Sequence, residues 1–161
     1  MRFEHLVQVN DPRQPLLTEV SRAQLWRGLV RRAERPTEFV LGLDGAAIDE
    51  RIDEPGLLQF SRTLDFGTFR VRDRVRLTVV DQLSVTEVEA AAGYAASRLT
   101  IRIEEPAAGG LFLRFTYESG EEPGGGELDA LTGQLREQAY RNADIDTVWR
   151  IRDLVERGEL G

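Results

Sequence analysis

The sequence contains no cysteine and only one histidine among its 161 residues. The absence of cysteine excludes disulfides, thiolate catalysis and metal sites built from cysteine. A single histidine excludes histidine-rich metal sites, and the carboxylates form no cluster with ligand spacing. We therefore expect no metal and no other cofactor.

The common motifs for phosphate binding and covalent catalysis are also missing. The sequence has no Gly-x-Gly-x-x-Gly pattern, no phosphate loop and no Gly-x-Ser-x-Gly elbow. No apolar run approaches the roughly 20 residues that a membrane-spanning helix needs. The first twelve residues carry charges and lack the apolar core of a signal peptide, so we expect a cytoplasmic protein.

The totals describe an ordinary globular domain. Hydrophobic residues make up 41% and charged residues 30% of the chain, which predicts one domain spanning residues 1–161. The formal net charge of −7 disfavours contact with phosphate backbones, so we expect no nucleic-acid partner.

Hydrophobic periodicity predicts a strand, a helix, a series of antiparallel strands and a long C-terminal helix. Apolar and polar residues alternate over 2–9, as in a strand, and apolar residues recur at helical spacing over 21–36. In the middle of the chain, alternating segments are separated by short turns. Only the last helix is long enough to cover one apolar face of the sheet. The order predicts an α+β fold in which a sheet of about six or seven strands curves around that helix and leaves a cavity.

The two predicted helices differ in their boundary signals. Ser21 and Gln24 fit a capping box, and Pro36 ends the first helix. A glycine-rich hinge over 119–126 precedes the second, whose apolar residues begin at Leu128. A candidate kink at 142–144 leaves open whether this is one long helix or two.

The segment "RTLDFGTFRVRD" predicts a β-hairpin with Gly67 and Thr68 at the centre of the turn. In this register eight apolar side chains and two charged ones share the inner face, and Arg62 lies opposite Asp73. A slip of one residue would turn the whole apolar set outward. The same reasoning places the next turn at residues 81–82.

The inward pair of charges has two interpretations, because isolated buried charges are very costly. Arg62 and Asp73 either fix the register of the hairpin beneath the helix, or project into a partly hydrated cavity. In the second case Arg62 would bind a polar or anionic group of a ligand, and Asp73 would orient it.

His5 lies on the apolar face of the first strand and is a candidate general acid or base, together with Asp73. A single histidine among apolar side chains is more often a hydrogen-bonded core residue, and it can also form part of a cavity wall. Other residues predicted to face the cavity, either as ligand contacts or as core, are Phe60, Leu64, Val75, Leu113, Phe115, Tyr117, Tyr140 and Trp149.

Several stretches together resemble the AtaL-like branch of the START-like, or SRPBCC, superfamily, over about residues 1–155. They are "FEHLVQVNDP", "QLWRGLVRRAERPTEFVLGLD", "RTLDFGTFRVRDRV", "LTIRIEEP" and "GLFLRFTYE". The resemblance implies the helix-grip fold, with a deep hydrophobic cavity between sheet and C-terminal helix. Members of the superfamily bind lipids, hormones and polyketides, and some are aromatase/cyclases. For this branch the resemblance implies no particular activity.

Three functions stay open at this point. The first is a binding module for a small hydrophobic molecule with a polar or acidic group. The second is an enzyme of the cyclase, dehydratase or isomerase type that uses Arg62, Asp73 and His5. The third is a structural or interaction protein with a filled core, for instance as a homodimer.

Overall fold

The computed structural model describes residues 1–120 and 126–161, except for the side chain of Leu128. Most of the glycine-rich hinge predicted over 119–126 lies outside the described residues. The strands are β1 (Arg2–Gln8), β2 (Gly45–Glu54), β3 (Leu57–Asp65), β4 (Arg70–Thr78), β5 (Leu83–Val88), β6 (Ser97–Ala107) and β7 (Gly110–Ser119), and the helices are α1 (Arg22–Glu34) and α2 (Glu127–Glu156).

The seven strands form one antiparallel sheet in the order β1-β7-β6-β5-β4-β3-β2. The first two strands of the sequence therefore occupy opposite edges, and α1 lies between them in the chain. A 3₁₀ turn, Pro36–Glu38, follows α1. The arrangement confirms the predicted α+β helix-grip architecture.

Helix α1 begins at the predicted capping box. The Ser21 side chain accepts a hydrogen bond from the Gln24 backbone N–H, and the Gln24 side chain accepts one from the Ser21 N–H. These bonds satisfy amide groups that have no partner inside the helix. Helix α2 is continuous through residues 142–144, so the alternative of two helices is wrong.

Helix α1 comes close to α2 at Gly28. A Cβ atom at this position would lie 2.8 Å from side-chain atoms of Ile151. The absence of a side chain at Gly28 thus allows the two helices to touch. Ala33, further along α1, packs instead on the sheet, in a cluster with Phe60, Val75 and Leu77.

The hairpin of β3 and β4 has the predicted register, with Arg62 opposite Asp73. Gly67 has a φ of +88°, which glycine adopts readily, and the Phe66 N–H donates to the Phe69 carbonyl across the turn. Apolar and polar side chains alternate along these strands because only one face of the sheet is covered. This alternation is why the sequence could predict the register.

The predicted register of the next hairpin is wrong by two residues. A turn centred on residues 81–82 would place Arg76 opposite Glu87. The loop instead occupies residues 79–82, and Arg74 lies opposite Glu87. A four-residue loop replaces the predicted two-residue turn, and Gln82 has a φ of +48°. A shift of two residues leaves every side chain on its own face, so the hydrophobic pattern does not distinguish the two registers.

The main core lies between the β1–β7–β6 part of the sheet and the two helices. Its largest fully buried side chains include Phe115, Leu25, Leu29 and Ile151. Within the described ranges 1–120 and 126–161, no helix is long and apolar enough to cross a membrane.

Candidate functional site

A cavity of about 400 Å³ lies between the inner face of the sheet and the first half of α2. It is bounded by strands β5, β6 and β7, by α2 and by the loop that joins β5 to β6. Its lining includes Thr86, Val88, Leu99, Tyr117, Arg136 and Tyr140. The walls are mainly apolar, with a few polar groups, which suits a small organic molecule.

Two tyrosines stack on one wall of this cavity. The rings of Tyr117 on β7 and Tyr140 on α2 are 3.9 Å apart between centroids and nearly parallel, at 7°. Tyr140 also stacks on Phe3 of β1, with centroids 6.1 Å apart. The structure therefore brings together two of the residues that the sequence predicts to face the cavity.

Behind the tyrosines lies a buried carboxylate, Asp144. Its Oδ2 atom is 2.6 Å from Nε2 of His5, and its two oxygens accept from the Tyr117 hydroxyl at 2.8 and 2.9 Å. Only 1% of the Asp144 surface is exposed. Burial raises the pKa of Asp144, and the hydrogen bonds from His5 and Tyr117 act in the opposite direction.

Burial also raises the pKa of Tyr117, and the negative charge of Asp144 adds to this effect. The Tyr117 hydroxyl therefore stays protonated and acts as a donor to Asp144. The three groups form a chain of hydrogen bonds that ends at a residue lining the cavity.

The sheet order explains why these three residues meet. Strands β1 and β7 are neighbours, with Phe3 opposite Tyr117 and His5 opposite Phe115. His5 and Tyr117 thus lie diagonally on the inner face. Asp144 follows Tyr140 by one helical turn, which places both on the face of α2 that covers this sheet corner.

Asp144 is a residue of this site that the sequence analysis missed. The residues around it indicated a kink, although Asp144 lies at helical spacing between Tyr140 and the buried Val148. That spacing is the signal that would have placed a carboxylate on the inward face of α2.

The Arg62–Asp73 pair faces inward, as predicted, and is buried. Arg62 Nε donates to Asp73 Oδ1 at 2.9 Å, and its Nη2 donates to Oδ2 at 2.6 Å. A third bond runs from Arg62 Nη1 to the Ala33 carbonyl near the end of α1, at 3.0 Å. The pair therefore joins the hairpin to α1, and neither residue is among those that line the cavity.

The remaining predicted residues divide between two core regions and the surface. Phe60, Leu64 and Val75 are buried on the β3–β4 side. Leu113 and Phe115 are fully buried beneath α2. Trp149 is 52% exposed and stacks with Arg152, away from the tyrosine-lined cavity. None of these side chains lines that cavity.

Arg32 on α1 also points into the interior, and the sequence analysis did not select it. Its guanidinium lies within electrostatic range of Tyr117, Arg62, Asp144 and Asp73, and burial lowers its pKa. Its Nε atom is enclosed by protein and has no hydrogen-bond partner. Arg32 follows Gly28 by one helical turn and therefore lies on the side of α1 that faces α2. This spacing could have identified Arg32 as a residue that faces the interior.

No group of three or more His, Asp or Glu side chains is arranged to hold a metal ion in the part of the chain that the structure describes. The His5–Asp144 contact is instead a pairwise hydrogen bond supported by Tyr117.

Solved structures of low sequence identity share this fold. The chain superposes on the Zhui aromatase/cyclase from Streptomyces sp. R1128 with a TM-score of 0.63 and 14% identity, covering 98% of this chain and 94% of that one. The di-domain aromatase/cyclase StfQ from the steffimycin biosynthetic pathway has a TM-score of 0.62 and 14% sequence identity, and the match covers 97% of this chain and 51% of StfQ. Ara h 8.0201 has a TM-score of 0.57 and 14% sequence identity, and the match covers 98% of both chains.

No curated protein sequence matches the chain significantly. A family model does match, over residues 7–158, and its description is "Acetylaranotin biosynthesis cluster protein L". The match covers nearly the whole chain and agrees with the helix-grip architecture of the structural relatives. The chain therefore belongs to the AtaL family.

Proposed function

We propose that this protein binds a small, largely apolar molecule between its sheet and the first half of α2. The observation that carries the proposal is the 400 Å³ cavity, with Tyr117 and Tyr140 stacked on its wall. Ligand cavities in proteins commonly have volumes of about 300–1,000 Å³ and apolar walls with a few polar groups. Val88 and Leu99 supply apolar surface, and Thr86 supplies a hydroxyl.

The structural relatives support the binding of a small, largely apolar molecule, since two of them are described as aromatase/cyclases. The word aromatase refers to the formation of aromatic rings, and an aromatic ligand would suit a cavity with aromatic walls. The ligand class proposed here is therefore a hydrophobic molecule of lipid, aromatic or polyketide type.

Binding can be tested with 1-naphthol and decanol, by native mass spectrometry and by thermal shift. We expect one molecule bound per chain and a higher melting temperature. Val88→Trp places a large ring in the cavity and should abolish both effects. Glu87→Trp is the matched control, because this neighbour on β5 is exposed and absent from the cavity lining.

Failure of both compounds to bind the unmodified protein would contradict the proposal. Equal loss of binding in the two tryptophan variants would also contradict it, since only one of them fills the cavity.

A second candidate function is proton transfer on such a ligand, in a cyclase- or dehydratase-type enzyme. The specific observation in its favour is the hydrogen-bonded chain of His5, Asp144 and Tyr117, which ends at the cavity wall. Arg62 and Asp73 suit this role less well, because they bind each other and the Ala33 carbonyl.

Proton transfer can be followed as deuterium exchange at C2 of an acetoacetyl thioester by NMR. A base would remove a proton from this carbon, and a deuteron from solvent would replace it. Catalysed exchange that is lost in Asp144→Asn and kept in Asp146→Asn, an exposed carboxylate on the same helix, would support this candidate. An exchange rate no faster than that in buffer would exclude it for this substrate.

The cytoplasmic location, the single domain over 1–161 and the homodimer stay predictions from the sequence. Light scattering of the purified chain tests the homodimer directly, because a monomer has a mass of 18.2 kDa.

A further inference from the structure

Arg32 enters the interior beside the point where the two helices touch. Gly28, one turn earlier on the same face of α1, contacts Ile151 of α2. Arg32 therefore lies just beyond this contact, in the direction of the preceding turns of α2. Asp144 belongs to those turns, and its charge acts on Arg32. A cationic side chain is thus directed between α2 and the sheet.

The carboxylates around Arg32 are already engaged with other groups. Asp73 binds Arg62 through both oxygens, and Asp144 accepts from His5 and Tyr117. Across residues 1–120 and 126–161, Arg32 has no carboxylate within ion-pair distance, and its enclosed Nε donates to nothing. A guanidinium normally forms several hydrogen bonds when it is buried.

Neither nearby carboxylate forms an ion pair with Arg32. Asp144 and Asp73 favour its positive charge only from a distance. A carboxylate bound directly to the guanidinium would stabilise it further.

Arg32 nevertheless retains contact with open space. The residue is only partly buried, although its Nε atom is enclosed. Arg32 is not itself one of the residues that line the cavity. Tyr117, whose ring forms a wall of the cavity, is among the groups close enough to act on Arg32.

We propose that Arg32 binds a carboxylate of the ligand, so that the natural ligand is an apolar molecule with one carboxylate group. Nε and one Nη of a guanidinium match the two oxygens of a carboxylate, and Nε is the donor without a partner here. The inference rests on the proposed ligand-binding function and narrows its ligand class.

The test compares decanoate with decanol, which share a chain length and differ in charge. Affinities are measured by calorimetry at pH 7.5, where decanoate is ionised. We expect the unmodified protein to prefer decanoate by at least about 10-fold, the factor that corresponds to 1.4 kcal/mol. Arg32→Gln should lose this preference and bind decanol unchanged.

Arg35→Gln is the matched control, because Arg35 lies on the same helix end and its side chain is 64% exposed. This variant should keep the full preference for decanoate. Arg32→Lys retains a positive charge without the planar fork, and its preference should fall at least about three-fold. The lysine variant decides the question if Arg32→Gln does not fold.

The outcomes separate the two proposals. Equal binding of decanoate and decanol by the unmodified protein would overturn the role of Arg32 and leave the cavity function in place. An unchanged preference in Arg32→Gln, or an equal loss in Arg35→Gln, would overturn it as well. Failure of both compounds to bind would contradict the binding function itself.

Discussion

Nε2 of His5 lies 2.6 Å from Oδ2 of Asp144, although the two residues are 139 positions apart in the sequence. The contact joins the first strand to the middle of the last helix. Both side chains are almost fully buried, at 8% and 2% exposure. The two ends of the fold are thus linked through buried polar groups, which connect to the wall of the candidate site through Tyr117.

The buried pair of Arg62 and Asp73 predicts a large loss of stability when one partner is removed. Asp73→Asn should lower the free energy of unfolding by about 3–5 kcal/mol, because it leaves a buried guanidinium without its counter-charge. Replacing both residues, as in Arg62→Met with Asp73→Leu, should cost much less. Urea denaturation followed by circular dichroism measures the three values.

The control for this pair is Glu87→Gln, which breaks the exposed ion pair between Arg98 and Glu87 at 3.3 Å. Its cost should be below about 1 kcal/mol. An effect of Asp73→Asn as small as that of the control would show that the buried pair contributes little to folding.

The raised pKa of Asp144 predicts a specific dependence of stability on pH. Since the folded state holds the Asp144 proton more tightly than the unfolded state, this group contributes stability at low pH. The contribution is lost as pH rises from about 4, the ordinary value for aspartate, through the higher pKa of the folded state.

Asp144→Asn removes this titration while keeping an oxygen acceptor for Tyr117. The stability of the unmodified protein minus that of the variant should therefore decrease across this pH range. Chemical denaturation at several pH values measures the difference. A difference that increases with pH would contradict the assigned direction.

Tyr117 should ionise at a much higher pH than an ordinary tyrosine, because burial and the charge of Asp144 both raise its pKa. In a spectrophotometric titration, one of the three tyrosines should ionise only when the protein unfolds at alkaline pH. Tyr117→Phe should remove this late step. A titration curve unchanged by that substitution would place the protected hydroxyl elsewhere.

The contact between α1 and α2 predicts opposite effects of alanine at two glycines. Gly28→Ala would place its Cβ 2.8 Å from Ile151 and should destabilise the protein by about 1–3 kcal/mol. The three atoms nearest to that Cβ all lie beyond the Cβ of Ile151, so Gly28→Ala should cost less in an Ile151→Ala background. Thermal unfolding of the single and double variants measures both effects.

Gly133 in α2 is the matched control, since a Cβ atom at this position would have open space around it, with no contact within 4 Å beyond its own helix backbone. Gly133→Ala should stabilise the protein by about 0.5–1 kcal/mol through helix propensity alone. If both substitutions had the same sign, the close helix contact would not be the cause.

Much of the fold could be predicted because its local signals agree with one another. The alternation in β3 and β4 determines the faces of the hairpin, and Gly67 determines its turn, so the opposition of Arg62 and Asp73 followed directly. The loop at residues 79–82 was not predictable in the same way. It shifts the pairing by two residues, and such a shift preserves the faces.

The candidate site was less accessible to prediction than the fold. His5, Tyr117 and Tyr140 were recognisable from the faces of their strands and helix. Asp144 and Arg32 were not selected, because polar residues within a charged helix resemble solvent-exposed ones in sequence. Their significance depends on how two helices cross, which the spacing within either helix does not determine.

The position of β1 at the edge next to β7 has a consequence for biosynthesis. The Met1 amino group donates to the Ser119 carbonyl, 118 positions away, and the first of the seven strands in chain order pairs with the last. During synthesis, β1 has no native partner strand until β7 has left the ribosome. Long-range pairing of this kind slows folding. Nascent chains that stop before residue 110 therefore leave β1 without its partner strand.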